Sequence, residues 1–480
     1  MEVLERLDDA LGEGLERYVR GHHRRRLGRL GQGHLLSDGG PQLWAEGEPP
    51  LRPGNELEVL VDGERALPAI AAASEAARSH VHIAGWHVSP EFALVRGERA
   101  PRLRELLAEL AERVDVRVLV WAGPPLPLFR PHRSDVRSIR ERLTHGTRIR
   151  CELDARERTM HCHHEKLVVV DDEVAFVGGI DLTSLSGDRF DSSEHPADGG
   201  LGWHDVATRL RGPVVADVAH HFCQRWREVA GDPLASPTPP ASRGEVEAQL
   251  VRTVPEGTYR FAPKGEFRIL DSYLRALRSA QSLIYIENQF LWSPEIVELL
   301  AGKLRSTPRD DFRIVLLLPA NPNNGADTTR GQLGRLIEAD GGRGRLLPVT
   351  IHCHSGSRSH SLYVHAKVGL VDDRWLTVGS ANLNEHSLFN DTEVNVATTD
   401  RSLARRTRLE LWSEHLERAP SEIAGDPAVV VDEVWKPIAE EQLARRERGE
   451  PLTHRLIRLP AVSRRSKRIV GPLRGLLVDA

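Results

Sequence analysis

The stretch HCHHEKLVVVDDEVAFVGGIDLTS, beginning at His161, returns in its chemically distinctive positions as VHAKVGLVDDRWLTVGSANLNE, beginning at Val364. His164-x-Lys166 is followed by Asp171, and His365-x-Lys367 by Asp372, both as H-x-K-x4-D. Seven residues further on stand Gly178-Gly179 in one copy and Gly379-Ser380 in the other, then Asp181 and Asn382. The copies lie 201 residues apart (365 − 164). A repeat of this period and detail restricts the chain to a duplicated unit, because the same grammar must satisfy the same local contacts twice.

The flanking segments repeat in the same order. LPAIAAASEAARSHVHIAGWHV and FRILDSYLRALRSAQSLIYIENQF each read as a helix followed by a buried strand. VDVRVLVWAG and DFRIVLLLPAN read as short apolar strands, and helices with a late Trp226 and Trp412 close each copy. Helices alternating with apolar strands imply α/β layers. The expected organisation is an N-terminal helical and basic segment over 1–50, a first half over 51–230, a linker over 231–247, a second half over 248–425 and a basic C-terminal tail over 426–480. The linker GDPLASPTPPASRGEVE is rich in proline, serine and alanine and has no apolar period.

Alternation along a strand puts His164 and Lys166 on one face, and likewise His365 and Lys367. Asp171 and Asp372 are an odd number of residues away, so they are expected to hold the following turn rather than to meet a ligand. Gly179, Ser380 and Asn382 are read as phosphate-binding: the small residues admit an anion to the backbone, and the polar side chains donate to its oxygens. Two histidines and two lysines converging where the halves meet suit a phosphodiester. One imidazole attacks phosphorus, the other protonates the leaving oxygen, and the lysines supply the positive charge a metal would. Each histidine needs a carboxylate to fix its tautomer. Asp205 in GWHDV is assigned to His164 and Glu393 in NDTEV to His365.

These residues resemble the phospholipase D superfamily, whose members carry two H-x-K-x4-D motifs followed by G-G or G-S. HIAGWHV, QLVRTVP, IYIENQF, GGIDLTS, GWHDV and SANLNEHS resemble the phosphatidylcholine-type branch more than the nucleases. The resemblance covers roughly residues 55–420. It implies two pseudo-symmetric α-β-α sandwich halves with the active site between them, and the motif set His164, Lys166, Asp171, His365, Lys367 and Asp372 as catalytic. It also implies His164 as nucleophile and His365 as general acid and base. The implied reaction is hydrolysis of a glycerophospholipid, or transfer of its phosphatidyl group to an alcohol, through a phosphohistidine. A cardiolipin synthase-like phosphatidyltransferase, a nuclease of the superfamily and a non-catalytic lipid-binding scaffold are the rivals. Relatives often have arginine where NEHS has His386.

Composition narrows the partners. A net charge of −4 argues against dedicated nucleic-acid binding. The four cysteines include no C-x-x-C pair and fit a reducing compartment. No run of about 20 apolar residues and no signal peptide are read, so a cytoplasmic monomer is expected, acting on a phospholipid. RYVRGHHRRRLGRL and the arginine-rich segment after His454 read either as contact with an anionic inner membrane face or as a solvated surface. No cofactor is implied. HCHH suggests zinc, but no carboxylate or cysteine set at ligand spacing accompanies it, so no metal ligand is assigned. Trp86, Trp203, Trp226 and Trp412 are expected in the core, with Trp86 and Trp292 as alternative pocket walls.

Overall fold

A computed structural model describes residues 2–37, 42–97, 100–125, 130–157, 161–183, 185, 202–320, 326–356 and 358–459. The first half contributes β1 (Arg52–Val61), β2 (His80–Gly85), β3 (Asp115–Trp121), β4 (Arg150–Asp154), β5 (Leu167–Val170), β6 (Val174–Gly178) and β7 (Val206–Arg211). The second contributes β8 (Val246–Val254), β9 (Leu283–Glu287), β10 (Arg313–Leu317), β11 (Leu346–Ser355), β12 (Val368–Val371), β13 (Trp375–Gly379) and β14 (Glu393–Thr398). Strand order is β1-β7-β6-β5-β2-β3-β4 in the first sheet. It is β8-β14-β13-β12-β9-β10-β11 in the second. In each sheet the last three strands are parallel and the others antiparallel, so the duplication read from the motifs is a duplication of topology.

The central strands are apolar on both faces because both faces are covered. β5 reads Leu-Val-Val-Val and is buried throughout. On one face of the first sheet the helices Asp62–Glu75, Leu103–Leu110 and Arg133–Thr144 pack through Leu67, Leu107 and Ile139. On the other, Val214–Ala230 presents Phe222 and Trp226. The second sheet is covered alike by Arg268–Ser279 and Pro294–Arg305 on one side and by Arg401–Leu416 with Trp412 on the other. Trp226 and Trp412 belong to one continuous apolar core that runs through both halves. β1 also pairs with β8.

The expected C-terminal tail is not a tail through residue 459. Pro427–Val430, Val431–Trp435 and Lys436–Glu447 are helical, and Leu456–Arg458 adds an antiparallel strand to β11. Val431, Trp435, Ala439 and Leu456 bury into the shared core. Val431, Trp435 and Ala439, four residues apart, form a helical stripe, and the helices that carry it hold more acidic than basic residues. The rest of the arginine-rich segment, 460–480, lies outside the described residues, as does most of the loop from Leu182 to Gly200. Residues 232–243 carry no regular element, and β8 begins at Val246, inside the linker read over 231–247. Among the described residues no helix is long and apolar enough to cross a membrane, and all four cysteines are buried and unbridged.

Asp171 and Asp372 hold turns, as their spacing suggests, and this removes them from the candidate catalytic set. Each sits after a four-residue strand at positive φ (57° and 53°), which aspartate tolerates better than most residues. Asp171 accepts from the backbone N–H of Arg78, Ser79 and His80 at 2.7–3.0 Å. Asp372 accepts from Gln281, Ser282 and Leu283 at 2.7–2.8 Å. Each pegs its hairpin to the start of a central strand, about 16 Å of extended chain from the motif lysine. Asp372→Ala strands three N–H donors and is expected to cost about 2 kcal/mol in urea unfolding, with Asp372→Asn costing less. Equal midpoints for the wild type and the alanine variant would refute the peg.

Candidate functional site at the seam of the two halves

The motif strands point their histidines across the seam. His164 Nδ1 lies 2.9 Å from Glu393 Oε1, and His365 Nδ1 lies 2.7 Å from Asp205 Oδ2. Asp205 and Glu393 do orient the histidines, but the pairing is the reverse of that read from sequence: each carboxylate serves the histidine of the other half. The reason is backbone geometry. His164 N donates to Thr392 O at 3.0 Å, and His365 N donates to His204 O at 2.8 Å. Each motif therefore runs beside the residue preceding the opposite carboxylate. All four side chains are buried. With Nδ1–H donated to a carboxylate, Nε2 of each ring is the nitrogen left for a ligand.

Each lysine bonds the backbone carbonyl of its own motif histidine. Lys166 Nζ reaches His164 O at 2.6 Å and Asp181 Oδ2 at 3.1 Å. Lys367 Nζ reaches His365 O and, at 3.2 Å, Gln289 Oε1. Asn382 Nδ2 meets the same Gln289 oxygen at 3.4 Å, beside Lys367. Asn382 thus stays a candidate for anion contact, and its counterpart Asp181 places a carboxylate against Lys166 instead.

Gly179 and Ser380 do not present themselves to an anion. A Cβ on Gly179 would lie 2.0 Å from Asp205 Oδ1, and one on Gly379 would lie 2.1 Å from Asn395 Oδ1. The glycines clear space for the carboxylate-bearing strand. Ser380 is fully buried and its hydroxyl donates to Glu393 Oε2. Ser387 donates to Glu393 Oε1 at 2.5 Å. The Ser380 hydroxyl serves the carboxylate, not the phosphate.

Two residues at the site, Trp203 and Gln289, were not read from sequence in that role. Trp203, expected in the core, places its ring 4.5 Å from that of His365. Gln289 stands in IYIENQF, a stretch noted only for resemblance. Trp292 packs between Phe290 and His386, Trp86 lies against Trp121, and Trp226 and Trp412 are core.

Two buried charge networks back the dyads. Behind His164, Arg225 bonds Glu165 and Asp154 (2.6 Å to the latter), Glu165 meets His221 at 2.7 Å, and Tyr259 donates to Asp154. Burial pushes the Glu165 carboxyl up, but Arg225 and His221 outweigh it and bring it down to about 2. Beside Asp205, His204 bridges Asp62 (3.1 Å) and Glu287 (2.8 Å), and His415 meets Glu287 at 2.9 Å. Burial pushes the His204 imidazole down, yet Asp62 and Glu287 hold it well above its ordinary value. Burial likewise raises the Glu287 carboxyl, and His204 and His415 bring it down to about 2.

Comparison with known proteins places this chain beside phospholipase D-like families. A family model described as "Phospholipase D" matches residues 73–202, and one described as "Cardiolipin synthase, PLD-like domain" matches 273–414. The chain is 26% identical to phospholipase D A of Dictyostelium discoideum, over 77% of this chain and 36% of that protein. It is 26% identical to phospholipase D alpha 1 of Zea mays, over 70% of this chain and 61% of that one. It therefore spans less than two thirds of the length of these relatives. Phosphatidylserine synthase of Haemophilus influenzae shares the fold, with a TM-score of 0.53 and 12% identity over 82% of this chain and 93% of that structure.

The networks also set how stability follows pH. Glu165 and Glu287 have folded values depressed from 4.5, so their contribution is present above that pH and is lost as pH falls toward 2. His204 is raised from 6.5, so its contribution is present below 6.5 and is lost as pH rises through its folded value. Melting temperature is expected to be highest between about 4.5 and 6.5 and to fall on both sides, and His204→Gln should flatten the alkaline decline. A scanning-calorimetry series with the wild-type alkaline slope retained in that variant would refute the assignment.

Proposed function

Since the chain belongs to the phospholipase D superfamily, we propose that it is a phosphodiesterase of phospholipase D type, acting on glycerophospholipids. The observation that carries this is the pair of cross-half histidine–carboxylate dyads, each with a lysine two residues on. The names of the curated relatives support a phospholipid substrate.

In this reading His164 Nε2 attacks phosphorus and the bond to the headgroup oxygen breaks. His365, protonated, gives its Nε2 proton to that oxygen, and the headgroup leaves as an alcohol. Glu393 steadies the His164 ring as it becomes a phosphohistidine, and Asp205 steadies the His365 imidazolium. Water, or a second alcohol, then attacks phosphorus while His365 takes its proton. The P–N bond breaks and His164 is restored. Lys166, Lys367 and Asn382 offset the charge that builds on the phosphoryl oxygens. The assignment of nucleophile to His164 rests on the family resemblance, since the two dyads are alike in geometry.

The test is headgroup release from phosphatidylcholine and phosphatidylethanolamine mixed micelles, with ethanol added in one arm to trap transfer, and plasmid nicking in EDTA alongside. Phosphatidic acid, or phosphatidylethanol in the alcohol arm, is the expected product. Nicking with every phospholipid left intact would overturn the proposal. His164→Asn and His365→Asn should each lower kcat by about 10³-fold or more; wild-type turnover in either variant would sink the mechanism. Gly179→Ala leaves every proposed reacting group in place but drives a methyl into Asp205, and should lower kcat on the order of 10²-fold. An unchanged kcat there would show that the Asp205 dyad does not matter.

A further inference from the structure

Beside the dyads, where the halves touch again, His161 of the first half meets His386 and Asp391 of the second. His161 Nδ1 lies 3.0 Å from His386 Nδ1 and 3.5 Å from Asp391 Oδ1. One donor atom from each residue falls in a cluster within 4.8 Å. A tetrahedral zinc ion bound at about 2.05 Å by each ligand sets its donors about 3.3 Å apart, so both measured edges bracket that spacing. His386 and Asp391 are each only 1% exposed. The second Asp391 oxygen and His386 Nε2 have no hydrogen-bond partner among the described residues. His161 is partly open, with 15% of its side chain exposed, which gives an ion a way in and a side for a fourth, water ligand.

We propose that His161, His386 and Asp391 bind one divalent ion of the zinc class, through the two Nδ1 atoms and a carboxylate oxygen. Two imidazoles and one carboxylate select zinc, cobalt or nickel over calcium and magnesium, which demand more oxygen ligands. The proton now shared between the two Nδ1 atoms moves to an Nε2 when both lone pairs turn to the ion. The ligands come from segments 225 residues apart, so the ion ties the strand entry before His164 to the turn carrying Ser387, whose hydroxyl holds Glu393. The ion is therefore a clasp across the seam and takes no part in the proposed phosphoryl chemistry.

The test uses the full chain after chelator treatment. Zinc affinity is measured by competition with a chromogenic chelator, cobalt coordination by its visible absorption, and stability by melting temperature with and without zinc. The wild type should take up one equivalent, show a tetrahedral cobalt spectrum and melt higher with zinc. His161→Asn, at the partly exposed position, and His386→Gln should each weaken zinc by about 100-fold and abolish the cobalt spectrum. His354→Asn, a partly exposed control paired with Glu417 elsewhere, should change neither. The His161 variant keeps the test valid if the buried His386 variant fails to fold. Zinc uptake with the same affinity in the His161 variant, no uptake by the wild type, or equal displacement by calcium would each overturn the proposal.

Discussion

The structure turns on an exchange: each half lends a carboxylate to the other half's histidine. A histidine buried beside a buried carboxylate is tolerable only when the two are hydrogen-bonded, because either group alone in a low-dielectric interior would carry a large desolvation cost. Neither half contains both members of its own pair. The duplicated unit therefore has no complete dyad until the sheets are docked, and the backbone bonds from His164 to Thr392 and from His365 to His204 fix that docking at the point where it matters. The shared core around Trp226 and Trp412 supplies the non-directional attraction, and the crossed pairs supply the register.

The pseudo-symmetry is broken around the lysines rather than at the histidines. Lys166 sits against the carboxylate of Asp181, whereas Lys367 meets amide oxygen from Gln289 with Asn382 alongside. A phosphoryl group entering the seam would meet more offset charge on the first-half side and more donor capacity on the second. The supporting networks differ in the same sense. The first is anchored by a guanidinium, Arg225, between two carboxylates, and the second by an imidazole, His204, between two carboxylates. Both hold an imidazole, and the two are shifted oppositely: burial lowers His221 beside Glu165, whereas Asp62 and Glu287 outweigh burial and raise His204.

Much of this was legible in the sequence. The repeat announced two copies of one α/β unit, and the odd spacing sent Asp171 and Asp372 to the turns; the strands begin only after each lysine, at Leu167 and Val368. Even the identities of the orienting carboxylates could be read, but their partners could not. Spacing along a chain reports which face a residue takes within its own half and says nothing about which half it will face. The same limit explains Gly179 and Ser380. A small residue beside a motif signals a close approach, and only the fold reveals that Asp205 and Glu393 are what approaches. The C-terminal helices were missed because the arginine-rich run after His454 was extended back over them, although Val431, Trp435 and Ala439 keep a helical period.

The N-terminal basic stretch shows how composition and placement can disagree. Read as a sequence, its arginines suit an anionic surface. In the fold, Arg26 bonds Glu256, Asn390 and Phe389 O, Arg20 pairs with Glu298, and His23 stacks on Phe389 at 3.9 Å. Part of that charge is therefore spent inside the molecule, on the turn His386–Asn390. That turn carries Ser387, Ser387 holds Glu393, and Glu393 holds His164. A chain of short contacts thus leads from the first helix to one histidine of the candidate site. The links from Arg26 to Phe389 O, from Ser387 to Glu393 and from Glu393 to His164 are buried and directional, so the first helix bears on the histidine through Ser387, while Ser380 holds the other oxygen of Glu393.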